Sequence, residues 1–259
     1  MPAVKRLRKP QESVATREDA SKSSFILSRV LDEVAAPLDE STDACHRLLE
    51  GAGGKLALEQ RKLVEAISAA TTRSAQRLRD YVDLMLLEAG DLVLRPKVHN
   101  LDEAIDQVVR QWKPAARAKG LNLVVEAAVR PLPPVLADPA RVAQVLANLI
   151  ANAIKFTDRG QVIISTEPYD RSVAVHIVDT GVGIPAPQIA KLFEDFFQGE
   201  GAKTRDPLSS GLGFTLSRRL VIRLGGDLWA SSTVGAGSRV SFTVPRAPAP
   251  TGPSRLAPV

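Results

Sequence analysis

From Leu27 the apolar and small positions fall at Leu27, Leu31, Val34, Leu38, Ser41, Cys45 and Leu48. Steps alternating between four and three residues keep one face of an α-helix in line, the heptad pattern of a helix–helix seam. Gly51, Gly53 and Gly54 end the run where a left-handed backbone is needed. A second series, Val64, Ile67, Thr71, Ser74, Leu78, Tyr81 and Met85, repeats the spacing and stops at Gly90. Two amphipathic helices joined by a short Gly-rich turn predict a hairpin, and its exposed seam predicts pairing with a second hairpin as a four-helix bundle, hence a homodimer. Pro37 lies inside the first helix, where it removes one backbone hydrogen bond and kinks the rod.

Beyond Gly90 the period changes. Leu101–Ala118 reads as a helix and Leu121–Val129 as a strand, followed by a turn at Pro131, Pro133 and Pro134. Asp138 is an N-cap with Pro139 at the first helical position of a long helix through Phe156. Strands follow at Val162–Thr166 and Ser172–Asp179, helices near Gln188–Phe197 and Leu212–Leu224, and closing strands near Asp227–Ser231 and Arg239–Val244. Mixed in this order, they predict an α/β layer structure separate from the all-α hairpin. The expected organisation is a basic tail at 1–22, a hairpin at 23–96, an α/β domain at 97–245 and a Pro-rich tail at 246–259.

Charge and composition sharpen this picture by exclusion. The net charge of +5 is partly local, because Lys5, Arg6, Arg8, Lys9, Arg17 and Lys22 crowd the first segment. That segment has few large apolar side chains and no interleaved aromatics, which favours a solvated tail over a nucleic-acid contact. One cysteine in 259 residues rules out a disulfide framework and a cysteine-based zinc site, and it suits a reducing cytoplasm. No apolar run approaches the ~18 residues of a membrane span. Only His46, His99 and His176 are available for imidazole chemistry.

Three glycine-containing segments point to a ligand. In DTGVGIP, Asp179–Pro185, Gly181 and Gly183 follow a strand and allow the backbone to approach a flat ligand closely. SSGLGFTL, Ser209–Leu216, places Gly211, Leu212 and Gly213 at the start of a helix, where free N–H groups suit a phosphate chain. GAGSRVSF, Gly235–Phe242, carries Ser238 into the last strand. The helix before them reads QVLANLIANAIKF, with Gln144, Asn148, Asn152 and Lys155 along one side of an otherwise apolar rod. Such amides either pack against a sheet edge or hold a hydrated Mg2+ beside a triphosphate, since Mg2+ prefers hard oxygen ligands.

With these segments in this order, the chain resembles the sensor histidine kinases of two-component signalling over nearly all of residues 23–245. The N box resembles Asp138–Phe156, the G1 box Asp179–Pro185, the F box Leu192–Gln198 and the G2 box Ser209–Leu216. The resemblance implies a GHKL-type (Bergerat) ATP-binding α/β sandwich. By it, Asp179 accepts a hydrogen bond from the adenine amino group, Asn152 with Asn148 serves Mg2+ and the phosphates, and Lys155 neutralises phosphate. Gly211 and Gly213 cradle the phosphate chain, and Ser238 joins the ATP-binding set. Gly199–Ser210 forms a mobile lid anchored by Phe193, Phe196 and Phe197. Hydrolytic members of the wider superfamily resemble one another in placing a Glu where this chain has Asn148, an amide that cannot take a proton from water.

The acceptor box departs from the family. It resembles S-H-E-L-R-T-P-L, and the matching stretch is LDEVAAPL, Leu31–Leu38. Glu33, Pro37 and Leu38 match, but Asp32 stands where the phosphorylated His would be and Ala36 where Thr or Asn often orients water. A carboxylate is repelled by the γ-phosphate and is a poor nucleophile beside neutral imidazole. His46 lies two heptads further, about 21 Å along the rod. Two readings stay open: an ATP-dependent phosphotransferase acting on a His in trans, or a pseudokinase adaptor that docks a response regulator or a partner histidine kinase.

Overall fold

The computed structural model describes residues 14–127, 131–192 and 211–248. The chain forms two compact units, Met1–Leu92 and Val93–Val259, taken in turn below. No helix among the described residues is long and apolar enough to cross a membrane.

The first unit is the expected hairpin, α1 (Val14–Leu49) against α2 (Leu58–Ala89). Gly51 and Gly54 take φ of 97° and 95° in the connecting turn, a backbone that other residues adopt only with strain. Arg61 Nη2 donates to Leu49 O at 3.1 Å, so the start of α2 satisfies the end of α1. Gly90, φ 79°, closes α2, with its N–H returned to the carbonyls of Leu86 and Leu87. Helix α1 continues through Pro37, and the Ser41 hydroxyl donates to Pro37 O at 2.7 Å.

Two expectations for this unit are corrected. Helix α1 starts at Val14, inside the segment expected as a tail. Between Val14 and Lys22 there is no Gly or Pro, and Arg, Glu, Lys and Ala are good helix formers, so the existing helix is extended at little cost. The single seam also divides in two. The buried residues are Ala35 and Cys45 on α1 and Ser68, Ala75, Val82, Asp83 and Leu84 on α2, so Cys45 keeps its place in the predicted seam whereas Val34, Leu48, Ile67, Tyr81 and Met85 are exposed.

In the second unit a five-stranded sheet has the order β2 (Asn122–Ala127), β4 (Gln161–Pro168), β5 (Ser172–Asp179), β7 (Gly237–Pro245), β6 (Leu228–Thr233). The β2–β4 pair is parallel and the others antiparallel. Helices α3 (Leu101–Ala118), α4 (Pro139–Phe156) and α6 (Leu212–Arg223) form the second layer. Between the layers lie Val145, Leu146, Leu149 and Ile150 of α4 with Ile164, Ile177 and Phe242 of the sheet, each 2% exposed or less. Burying such side chains is worth about 1.5–3 kcal/mol each.

Strands β1 (Lys97–His99) and β3 (Val135–Ala137) pair antiparallel in a small separate sheet that the sequence reading did not anticipate. Its formation moves the unit boundary to Leu92/Val93, before the expected position near Lys97. At the other end, Arg246 bridges to Val135 and Ala247 N donates to Pro134 O at 2.8 Å. The fold therefore takes in the first residues expected as a Pro-rich tail. The helix expected near Gln188–Phe197 is, among the described residues, the short α5 (Ala186–Ile189) followed by a turn.

Candidate functional site

Helix α4 is positioned by the residue that caps its N-terminus. Asp138, 7% exposed, accepts from Ala140 N at 3.0 Å and Arg141 N at 3.4 Å, and its second oxygen accepts from Arg95 N at 2.8 Å. One carboxylate thus caps the helix and ties it to the chain arriving from the hairpin. The far end is held as firmly. Lys119 Nζ donates to Ile154 O and Lys155 O, both at 2.8 Å, and the Thr157 hydroxyl donates to Ala153 O at 2.7 Å. A cation on the last carbonyls suits the negative end of a helix dipole.

Between these anchors the polar side of α4 carries Asn148, Asn152 and Lys155. Asn148 Nδ2 is buried with no hydrogen-bond partner, which costs about 1–3 kcal/mol unless a ligand or water completes it. Asn152 faces the first turn of α6: a methyl group on Gly213 would sit 3.6 Å from Asn152 Nδ2. Gly211, φ 70°, is the left-handed residue that starts this helix, and Leu212, 1% exposed, plugs it into the core. Lys155 Nζ lies 5.2 Å above the Phe156 ring centre.

The loop after β5 folds onto the end of α4. A Cβ on Gly181 would lie 2.4 Å from Phe156 O and 2.8 Å from Asp179 Oδ1, so this crossing admits only glycine. Gly181 N donates to Asp179 Oδ1 at 2.8 Å. Burial pushes the Asp179 carboxyl above the usual carboxylate range, against the opposing pull of backbone N–H bonds from Gly181 and Ser238. Gly183, φ 70°, backs onto Thr233 O, and Gly237, φ 105°, onto Asp179 O, both closer than any Cβ allows. Ser232 fastens the two turns together: Ile184 N donates to its Oγ at 2.7 Å, its hydroxyl donates to Gly237 O at 2.8 Å, and Ser238 Oγ lies 3.0 Å away.

The structure thus brings Asn152, Gly211, Leu212 and Gly213 to one place and Asp179, Gly181, Gly183 and Ser238 to another, both against α4. Phe197, with Phe193, Phe196 and the segment 199–210, lies outside the described residues. Asp32 and Glu33 belong to the hairpin unit; both are exposed, and Glu33 accepts from Arg29 Nε at 3.0 Å. Sequence reasoning missed Ser232, Gly237, Lys119 and the Asp138–Arg95 link. Gly237 was within a noticed segment, but nothing local distinguishes Ser232 or Lys119 from any surface polar residue.

His176 is accounted for by structure alone. Its Nδ1 lies 2.8 Å from Ser241 Oγ, its Nε2 3.6 Å from Glu167 Oε2, and its ring meets Trp229 edge-on at 6.4 Å. Burial and Arg239 pull its pKa below the ordinary value, with Glu167 opposing.

A fold of this kind occurs in known proteins. Residues 137–248 match the family described as histidine kinase-, DNA gyrase B-, and HSP90-like ATPase. The autoinducer 2 sensor kinase/phosphatase LuxQ of Vibrio cholerae is 32% identical over 244 residues, covering 91% of this chain and 28% of LuxQ. The sensor histidine kinase RcsC of Escherichia coli is 30% identical over 246 residues, 91% of this chain and 25% of RcsC. The chain therefore spans about a quarter of the length of these relatives. Among solved structures, full-length ShkA in complex with AMPPNP matches with a TM-score of 0.68 and 29% identity over 87% of this chain and 47% of ShkA. The nucleotide-free catalytic domain of histidine kinase ThkA matches with a TM-score of 0.52 and 29% identity over 60% of this chain and 99% of that domain. Residues 137–248 thus form a histidine kinase-, DNA gyrase B-, and HSP90-like ATPase domain, and along nine-tenths of its length the chain is similar to proteins named as sensor kinases.

Proposed function

We propose that the second unit binds Mg–ATP and that the chain phosphorylates a histidine in trans, on a partner protein, as a dimeric cytoplasmic component of two-component signalling. The observation that carries the nucleotide reading is the pair of asparagines on α4: one has a buried amide nitrogen without a partner, and the other stands beside the glycine turn of α6. Asparagine side-chain oxygens suit a magnesium ion that keeps most of its waters and its phosphate ligands. Asp179 offers the adenine amino group a desolvated acceptor, and Gly181, Gly183 and Gly237 keep its surroundings free of side chains. Bound Mg2+ would neutralise developing phosphate charge, and this chain's own residues hold and orient the nucleotide.

The transfer breaks the bond between the γ-phosphorus and the β,γ-bridging oxygen, forms a phosphorus–nitrogen bond on imidazole, and releases ADP. This chain has no imidazole at the acceptor box, since Asp32 occupies it. The same fact favours the second reading, an adaptor in which nucleotide only sets conformation while the hairpin docks a response regulator or partner kinase. The exposed row of Val34, Leu48, Ile67, Tyr81 and Met85 supports pairing of two hairpins, because apolar residues repeated along a helical face need a cover.

The deciding experiment incubates the wild type and Asp32→His with γ-labelled ATP and magnesium. Acid-labile, alkali-stable label on Asp32→His alone is expected. Self-labelling of the wild type would overturn transfer in trans. No label on either protein, with nucleotide still bound, would leave the adaptor reading in its place. Asn152→Ala is expected to lose nucleotide affinity under both readings, so unchanged affinity would remove the site assignment.

A further inference from the structure

Strand β2 is one edge of the sheet and, among the described residues, pairs only with β4. Asn122 N donates to Gly160 O at 3.1 Å, which sets the polarity of the strand. Backbone groups of Asn122, Val124 and Glu126 turn to β4, and those of Leu123 and Val125 turn outward. The strand reads NLVVEA, with no Pro and no Lys to blunt that edge.

Helix α3 runs beside this edge and leaves an open groove of about 770 Å³, lined by Asp106, Val109, Arg110 and Lys113 of the helix and residues 123–125 of the strand. Val109 and Leu123 are 3% and 8% exposed and form an apolar floor. Asp106, Arg110 and Lys113 stand one turn apart on the rim. With two cations and one carboxylate, the helix side of the rim carries one net positive charge.

We propose that this groove docks an extended acidic segment of a partner protein, added beside β2 as a sixth strand. Main-chain bonds to Leu123 and Val125 would supply the pairing, and Arg110 and Lys113 would select carboxylate side chains over cationic ones. The site lies on the sheet edge and does not depend on the nucleotide reading of α4.

The test is amide NMR of the full chain with a capped octapeptide, Glu-Val-Glu-Thr-Glu-Val-Glu-Thr, against the same peptide with Lys for Glu. The acidic peptide is expected to shift and protect the amides of Leu123 and Val125 and to shift α3 around Arg110. The lysine peptide is expected to do neither. N-methylation of alternate nitrogens of the acidic peptide should abolish the effect. Arg110→Glu with Lys113→Glu should weaken it about five- to ten-fold, the scale of two exposed charge pairs, with the urea midpoint unchanged. Absence of shifts at β2, or equal binding of both peptides, would overturn the proposal. So would protection of these amides in the free chain, if it rises with protein concentration (a second copy in the groove) or is independent of it (the chain's own residues there).

Discussion

Replacing Asp138 separates two things that one carboxylate does. Its Oδ1 caps α4 by accepting from Ala140 N and Arg141 N, and its Oδ2 accepts from Arg95 N. Asp138→Ala removes both. Loss of an N-cap costs about 1 kcal/mol, and leaving the part-buried Arg95 N–H without an acceptor costs about 1 kcal/mol more, giving about 2 kcal/mol in total. Asp138→Ser keeps a hydroxyl for the cap and loses only the Arg95 bond, so it should cost about half as much. Trp112 and Trp229 are the two tryptophans of the chain, and both lie in the second unit. Tryptophan fluorescence through a urea titration therefore reports that unit separately from the hairpin. The expected order of midpoints is wild type, Asp138→Ser, Asp138→Ala, and in thermal melts each kcal/mol should lower the midpoint by about 2–4 °C. A midpoint for Asp138→Ser equal to that of the wild type would show that the Arg95 bond contributes nothing and would undo the coupling of the incoming chain to α4, whereas equal midpoints for the two variants would show that the cap contributes nothing.

Four further outcomes can be checked by the same fluorescence. Lys119→Met should cost about 1 kcal/mol, an estimate reduced because the ammonium is part exposed and water can replace it, and Lys119→Arg should recover part of the loss. Gly181→Ala should cost about 3 kcal/mol, because a Cβ would meet the Phe156 carbonyl at 2.4 Å and backbone cannot move aside; Gly120→Ala, with open space around it but φ of 73°, should cost about 1 kcal/mol. His176 has a folded pKa below its ordinary value, so its contribution is present above pH ~6.5 and is lost as pH falls through the folded pKa; His176→Gln should flatten that acid-side decline relative to the wild type. Asp179 has the opposite sign: its folded pKa is raised, so stability is lost as pH rises from the ordinary carboxylate range through the folded pKa, and Asp179→Asn should remove that decline.

Elements with strong local signals were legible to the residue. Asp138 followed by Pro139 marks the start of α4, and the apolar spacing carries it to Phe156, as observed. Strand β5 fills Ser172–Asp179 because the apolar run is bounded by a turn on one side and DTG on the other. Strands β1 and β3 were not legible, because three residues show no period and their pairing joins positions far apart in the chain. The same limit hid Lys119, whose carbonyl partners lie 35 and 36 residues away. The glycines of the site were recognisable as a set, yet the reason for each is a contact across the fold: Gly181 with α4, Gly183 with β6, and Gly237 with the end of β5.

In the hairpin, the heptad spacing identified helices but not which of two adjacent stripes faces the neighbouring helix. Ala35, Cys45, Ser68 and Ala75, small side chains that let two helices approach, take the inner position together with Val82, and Val34, Ile67, Tyr81 and Met85 are left outside. Asp32 is exposed as well, so exchanging His for Asp there disturbs neither stripe. The second unit meanwhile retains features that lower its stability when empty: a buried, unpartnered amide at Asn148 and a desolvated carboxylate at Asp179. Neither helps the fold, and both are relieved by a ligand that donates to Asp179 and completes the polar face of α4. The proposed nucleotide site serves the phosphotransferase and adaptor readings alike, and what separates the two readings is confined to one exposed carboxylate on α1.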